Sequence, residues 1–323
     1  MKRSLLIPIF FLFSLTGFSQ DIVFSQLNHS KLNITPGFAG SSKVKDIVLQ
    51  HRNISPTGWG NYLTYRATLS RHFDAINGGV ALQLIRDDQG QGAISRSYIS
   101  GMYAYQIRLR PNMTIHPALE ATYAIYSLNT SDLVFPDMFD PVRWEITEGP
   151  ETIPRRSDHY LEFNAGFILT YENEYLRSYR DWTLGLAVRH LNKPTSLLHD
   201  QQKINRQWLL YFDIELFLKQ LDTYQSSTVL IPAFLYAGEQ GHHRFHYGTY
   251  LKYKTFRIGA FVRHNAAMSY LVPVFQIGAT FPQIHLDYSY DAGFLNHKRT
   301  SVFSGAHEVT LSINLSIRGS NKQ

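Results

Sequence analysis

Glu308-Val309-Thr310-Leu311-Ser312-Ile313-Asn314-Leu315-Ser316-Ile317 carries an aliphatic side chain at every second position and a charged or polar one at each position between. Successive side chains of an extended strand point to opposite faces, so this stretch has one apolar face and one polar face. Such a strand separates two unlike solvents. Working back from it, runs of roughly ten residues with the same period of two, each closed by turn residues, recur about fourteen times. The pattern predicts an all-β chain: a transmembrane antiparallel up-and-down β-barrel of about 14 strands.

Strands are expected at 46–53, 61–71, 78–86, 96–109, 113–127, 159–171, 182–190, 207–219, 228–237, 244–253, 255–264, 271–281, 283–291 and 307–317. In the fourth, Ile99, Tyr103, Tyr105, Ile107 and Leu109 share one face, and Ser100, Gln106 and Arg108 share the other. In the eighth, Trp208, Leu210, Phe212, Ile214 and Leu216 oppose Asp213 and Glu215. Connections after odd-numbered strands include the long ones, at 54–60, 87–95, 128–158, 191–206 and 291–306. Most connections after even-numbered strands are short, such as Lys254 and Pro282. Short periplasmic turns and long outer loops are the rule for bacterial barrels, and an even strand count returns both ends of the chain to one side.

The composition agrees. Of 323 residues, 44% are hydrophobic, yet the mean hydropathy is −0.20, because outward apolar and inward polar residues cancel. The 20 Tyr and 21 Phe suit the aromatic girdles that settle at both bilayer interfaces. Residues 1–19 read as an export signal: Lys2 and Arg3, then an apolar stretch over 5–15, then Gly17-Phe18-Ser19, with cleavage expected after Ser19. No later apolar stretch is long enough for a helical span. The absence of Cys excludes disulfides, thiolate metal sites, thiol nucleophiles and a lipoprotein anchor. Residues 20–45, with Pro36-Gly37 and Gly40-Ser41-Ser42, are expected at the periplasmic rim or inside the lumen. The barrel is then expected over 46–317, followed by a polar tail at 318–323. The net charge of +6 is scattered, with no basic run longer than Arg155-Arg156 or Lys298-Arg299. No nucleic acid is therefore expected, and the bulk partner is outer-membrane lipid.

Several segments resemble one family. These are Gln20-Asp21-Ile22-Val23-Phe24-Ser25-Gln26, the Asn33 to Ser41 box around Pro36-Gly37-Phe38-Ala39-Gly40, and an acidic-glycine turn with Asp87, Asp88, Gly90 and Gly92. Leu133-Val134-Phe135-Pro136-Asp137 follows the fifth strand, and Leu286-Asp287-Tyr288-Ser289-Tyr290-Asp291 and Gly305-Ala306-His307-Glu308-Val309-Thr310-Leu311 close the chain. In order and spacing they resemble the PorP/SprF family of outer-membrane proteins from the type IX secretion and gliding-motility machinery of Bacteroidota. Thr35, where the family's box has Asn, and the missing Gln-Trp near 50–58 depart from its pattern. The resemblance implies a non-enzymatic barrel that docks or retains a secreted or surface-exposed type IX cargo or adhesin. Periplasmic secretion-machine subunits are further implied partners. The runner-up is a channel for passive diffusion of small solutes.

No catalytic, cofactor or metal site emerges. Of the 14 His, the best local set is His242, His243 and His246, in which only His242 and His246 share a face and no carboxylate completes the set. There is no Gly-x-Ser-x-Gly elbow. Arg66, Arg108, Glu120, Glu162, Asp213, Glu215, Asp287 and Glu308 fall on expected inward faces. They either cross-link the inner wall or line a solute or peptide path. The candidate partner surface is the long loop at 128–158, with Phe135, Pro136, Asp137, Met138, Phe139 and Trp144. Its alternative is a lid folded into the lumen.

Overall fold

The computed structural model describes residues 22–42, 45–56, 62–90, 92–129, 139–140, 145–146, 156–172, 180–196, 202–219, 228–293 and 303–315. Fourteen strands form one antiparallel sheet. They are β1 (Lys45–Pro56), β2 (Tyr62–Phe73), β3 (Gly78–Gln89), β4 (Ile94–Tyr105, resuming after Gln106 as Ile107–Arg110), β5 (Met113–Leu128), β6 (Arg156–Tyr171) and β7 (Arg180–Arg189). The second half is β8 (Gln207–Lys219), β9 (Thr228–Glu239), β10 (His242–Tyr253), β11 (Phe256–Asn265), β12 (Leu271–Thr280), β13 (Ile284–Asp291) and β14 (Phe303–Leu315).

Each strand pairs with its neighbour in sequence, and β1 pairs with β14, from Lys45↔Leu315 to Ile54↔Ala306. The sheet is thereby closed, and no edge is left with unpaired backbone groups to face lipid. The expected fold class and strand number hold. Strand ends shift by a few residues: β1 runs to Pro56, and β14 starts at Phe303 rather than His307.

The period of two sorts the two faces. Leu119 (66% exposed) and Trp208 (59%) point outward, whereas Thr68, Gln83, Thr122 and Glu308 point inward and are buried. The barrel has a loop end, at the connections after odd-numbered strands, and a turn end. The expected sorting holds only in part: β3 reaches β4 over residues 90–93, where a long loop at 87–95 is expected, β11 reaches β12 over 266–270, and Gln240-Gly241 joins β9 to β10 directly, both residues at positive φ, as a two-residue hairpin turn needs. The expected signal and polar tail lie outside the described residues.

Candidate functional site

Residues 22–42 run through the ring of strands. Lys31–Ile34 forms one helical turn and Pro36–Phe38 a 3-10 turn, in which Thr35 Oγ1 accepts the Gly37 N–H at 3.3 Å. Leu27, Ile34 and Phe38 are buried against inward-facing Ile168, Tyr211, Ala233, Tyr250, Phe261, Val272 and Val274. Expected to be polar throughout, the inner wall is instead apolar at Ile168 of β6 and in patches of β8–β12. The reason is that this part of the wall faces the segment, not water. A signal for it existed: Val229-Leu230-Ile231-Pro232-Ala233-Phe234-Leu235 and Leu271-Val272-Pro273-Val274-Phe275 are apolar without alternation, the mark of a strand buried on both faces.

Charged residues of the wall hold the segment's backbone. Glu308, fully buried on β14, accepts the Ser25 N–H at 2.8 Å through Oε2 and the Gln26 N–H at 3.1 Å through Oε1. Arg52, beside Glu308 in the seam register, donates to Glu308 Oε2 at 2.9 Å, to Asp291 Oδ2 at 2.6 Å and to Ser25 Oγ at 2.6 Å. Ser25 Oγ donates to Asp291 Oδ2 at 2.8 Å, and Arg263 also pairs with Asp291. Gln276 Nε2 donates to the Ser25 carbonyl at 2.9 Å. Lower down, His29 Nε2 lies 2.7 Å from Asp287 Oδ2, which Arg257 also holds, and Arg66 donates to the His29 carbonyl. Lys31 Nζ meets Asp213 Oδ2 at 2.8 Å. Charge-assisted bonds of this kind are shorter and stronger than neutral ones, and those among Arg52, Asp291 and Glu308 are buried from competing water. Burial lowers the pKa of His29, an effect that its bond to Asp287 opposes.

Two glycines set how closely the segment can lie on the wall. A Cβ on Gly79 would sit 2.1 Å from the Ala39 carbonyl oxygen, and one on Gly40 would sit 2.4 Å from the Gly79 Cα. Gly40 also has φ +61, which disfavours other residues.

The expected lumen charges are thus brought together in part. Asp213, Asp287 and Glu308 anchor the segment through Lys31, His29 and the Ser25 and Gln26 amides, and Arg66 stacks on Phe24 at 4.9 Å. Glu120 and Glu162 stand apart on β5 and β6, where Thr122 donates to Glu120 at 3.2 Å and His190 lies 3.1 Å from Glu162. Glu215 lines a vestibule at the turn end, and Arg108 is exposed near that rim. The sequence reading missed Ser25, Gln26, His29, Arg52, Asp291 and the apolar inner wall. The loop candidates Phe135, Pro136, Asp137, Met138 and Trp144 lie outside the described residues, as does the Phe139 side chain.

The segment separates two cavities. The loop-end one, about 380 Å³, is lined by Ile22, Val23, Arg52, Arg244, Arg263 and Asp291 among others. The turn-end one, about 450 Å³, is lined by His29, Lys31, Asp213, Glu215, Arg257 and His285 among others. Among the described residues no cluster of His, Cys, Asp or Glu is arranged to hold a metal ion.

A closed fourteen-stranded barrel with an apolar outer wall and a polar-anchored segment within defines the class: an integral outer-membrane β-barrel. The chain matches the family described as type IX secretion system membrane protein PorP/SprF over residues 16–313, and it belongs to that family. No curated protein sequence matches it. Among solved structures, the CymD monoaromatic hydrocarbon channel is similar at 10% identity, covering 92% of this chain and 95% of that one, with a TM-score of 0.49. The toluene transporter TodX of P. putida is similar at 10% identity, covering 84% and 88%, with a TM-score of 0.43. The KdgM porin is similar at 6% identity, covering 84% and 99%, with a TM-score of 0.40.

Proposed function

We propose that this barrel is a non-enzymatic docking protein of the type IX system, which retains a secreted or surface-exposed partner at its loop end and aids its export. The loop end faces the outside in this reading, and the turn end is open to periplasmic subunits. The observation that carries it is the filled lumen. Segment 22–42 is held by Glu308, Asp291, Asp287 and Asp213 and seated on an apolar inner wall, which suits a protein whose working surface is a rim rather than a through-path. Membership of the secretion family supports the same direction.

The test is purification of the tagged barrel from native membranes, with mass spectrometry of what accompanies it and planar-bilayer conductance of the same sample. Co-purification of a large secreted protein or of secretion-machine subunits, with no steady conductance, is the expected result. A barrel that comes alone at near-native expression and conducts steadily would overturn it in favour of small-solute diffusion.

A further inference from the structure

At the turn end β4 outruns its neighbour β3. Its last bond toward that side is the Gln106 N–H, which donates to the Asn77 carbonyl oxygen at 2.7 Å. There the opposite chain leaves the sheet: Asp74–Ile76 coils into a 3-10 turn, and Asn77 takes φ 44. Ile107–Arg110 goes on, paired with β5 alone, through Ile107↔Ile115, Arg108↔Thr114 and Arg110↔Met113, with a bulge between Arg108 and Arg110. All four residues are exposed. The hairpin is tied down from its far side by the pairing Met113↔Tyr171 and by the Glu172 N–H, which donates to the Asn112 carbonyl oxygen at 2.9 Å.

The backbone groups of an antiparallel strand alternate between its two edges. Gln106 turns its N–H to the β3 side, so Arg108, two residues on, turns its N–H and C=O the same way. No described strand receives them. The closed ring of β1 to β14 thus carries, past the end of β3, a short open edge. Such an edge is a template for an added strand.

The side chains define what can fill it. Ile107 (40% exposed) and Leu109 (52%) continue the face of Tyr103 and Tyr105. Leu109 stands roughly 13 Å along the strand past Tyr105. Arg108 and Arg110 flank Leu109, and their cross-strand neighbours are Thr114 and Met113. Neither arginine has an ion-pair partner among the described residues. A second copy of this edge would set guanidinium against guanidinium, and like charges placed opposite each other destabilise a strand pair. Carboxylates opposite the two arginines, alternating with apolar residues against Ile107 and Leu109, would satisfy both faces.

We propose that Ile107–Arg110 is a docking edge for an extended segment of a periplasmic protein, alternating acidic and apolar residues, which adds to β4 as a strand. This rests on the turn end facing the periplasm, as in the reading above, and not on retention of a partner at the loop end.

The test places the full-length barrel in phosphatidylcholine nanodiscs and adds a short fluorescent peptide that alternates Glu with Val, read by anisotropy against empty nanodiscs. A second peptide carries Lys in place of Glu. The expected result is about tenfold tighter binding of the Glu peptide, the order of two cross-strand charge pairs turned from repulsion to attraction. Arg108→Glu with Arg110→Glu reverses the preference. Arg108→Pro removes the edge N–H and leaves the β5 ladder intact. It should bind the Glu peptide about fivefold more weakly than Arg108→Gln, which removes only the charge. Equal binding of the two peptides, or equal binding by the Pro and Gln variants, overturns the proposal. If Arg108→Pro does not fold, the wild-type barrel is given N-methylated peptides. Methyl groups on the Glu amides, which face Arg108 in an antiparallel pair, abolish binding, and methyl groups on the Val amides leave it. Equal effects overturn the proposal. Asn112→Cys tests the orientation separately: labelling by an impermeant maleimide in intact cells would put this edge outside and overturn the proposal, whereas failure of the peptides alone leaves loop-end docking standing.

Discussion

Glu308, on the last strand of the barrel, accepts the backbone N–H of Ser25, near the start of the described chain, at 2.8 Å. The same carboxylate takes the Gln26 N–H and the Arg52 guanidinium. One buried side chain therefore couples the lumenal segment to the seam between β1 and β14.

Replacing that carboxylate should free the segment. Glu308→Ala leaves two backbone donors, the Gln50 side-chain amide and one arm of Arg52 without their acceptor inside the barrel, a loss of about 3–5 kcal/mol by the usual cost of breaking a buried charge pair. The chain has no Cys, so a single Leu27→Cys is the one labelling site, and every comparison is made on that background. Maleimide labelling at position 27 is expected to be slow in the otherwise native barrel and at least tenfold faster with Glu308→Ala. Equal rates would mean that the carboxylate does not hold the segment.

The apolar seat is tested by truncating a segment side chain that rests on the inner wall and, for comparison, one on the outer face. Leu27→Ala removes a side chain buried among Tyr250, Val274 and their neighbours and should cost about 2–4 kcal/mol. Leu119→Ala, on the 66% exposed outer face, should change stability by less than about 1 kcal/mol in detergent. The heat-modifiability midpoint on gels reads both, and the order should not reverse.

Gly79→Val should be worse than its size suggests. Even a Cβ at Gly79 meets the Ala39 carbonyl oxygen, and overpacking of a close backbone approach costs about 1–3 kcal/mol. A lower heat-modifiability midpoint is expected, together with faster labelling at position 27. Gly101→Ala, with open space around its Cβ, is the matched control and should be close to neutral.

Acid should loosen the segment. Burial holds the His29 pKa below its ordinary 6.5, against the pull of Asp287. A group lowered by folding contributes stability that is fully present above 6.5 and is lost as the pH falls through the folded value. Labelling or proteolysis of the segment should therefore be slower at pH 7.5 than at pH 5. His29→Gln should flatten that difference; a difference that survives the substitution would assign the effect to another group.

The strands were legible because lipid and water differ so strongly that most of them carry a period of two; β13 and β14 show it with little interruption. The lumen was harder to read. Asp213, Asp287 and Glu308 look inward from their spacing alone, but alternation cannot say whether an inward charge meets the opposite wall, water or another stretch of the same chain. The Val229 to Leu235 and Leu271 to Phe275 runs held the answer in a weak form, since a strand that loses its polar face has lost its water. Ser25 and Gln26 gave no signal, because the amides they give to Glu308 are groups every residue has, and their polar side chains look like those of any turn.

The seam has a consequence for the order of events in biogenesis. Segment 22–42 leaves the ribosome before any strand of the barrel, yet its amide acceptor stands on the last strand to be made. Until β14 has found β1, Ser25 and Gln26 lack the Glu308 carboxylate that receives them, and buried amides without acceptors are costly. The first-made stretch thus acts as a latch that engages only on a finished ring, so a truncated chain gains no reward for sealing early.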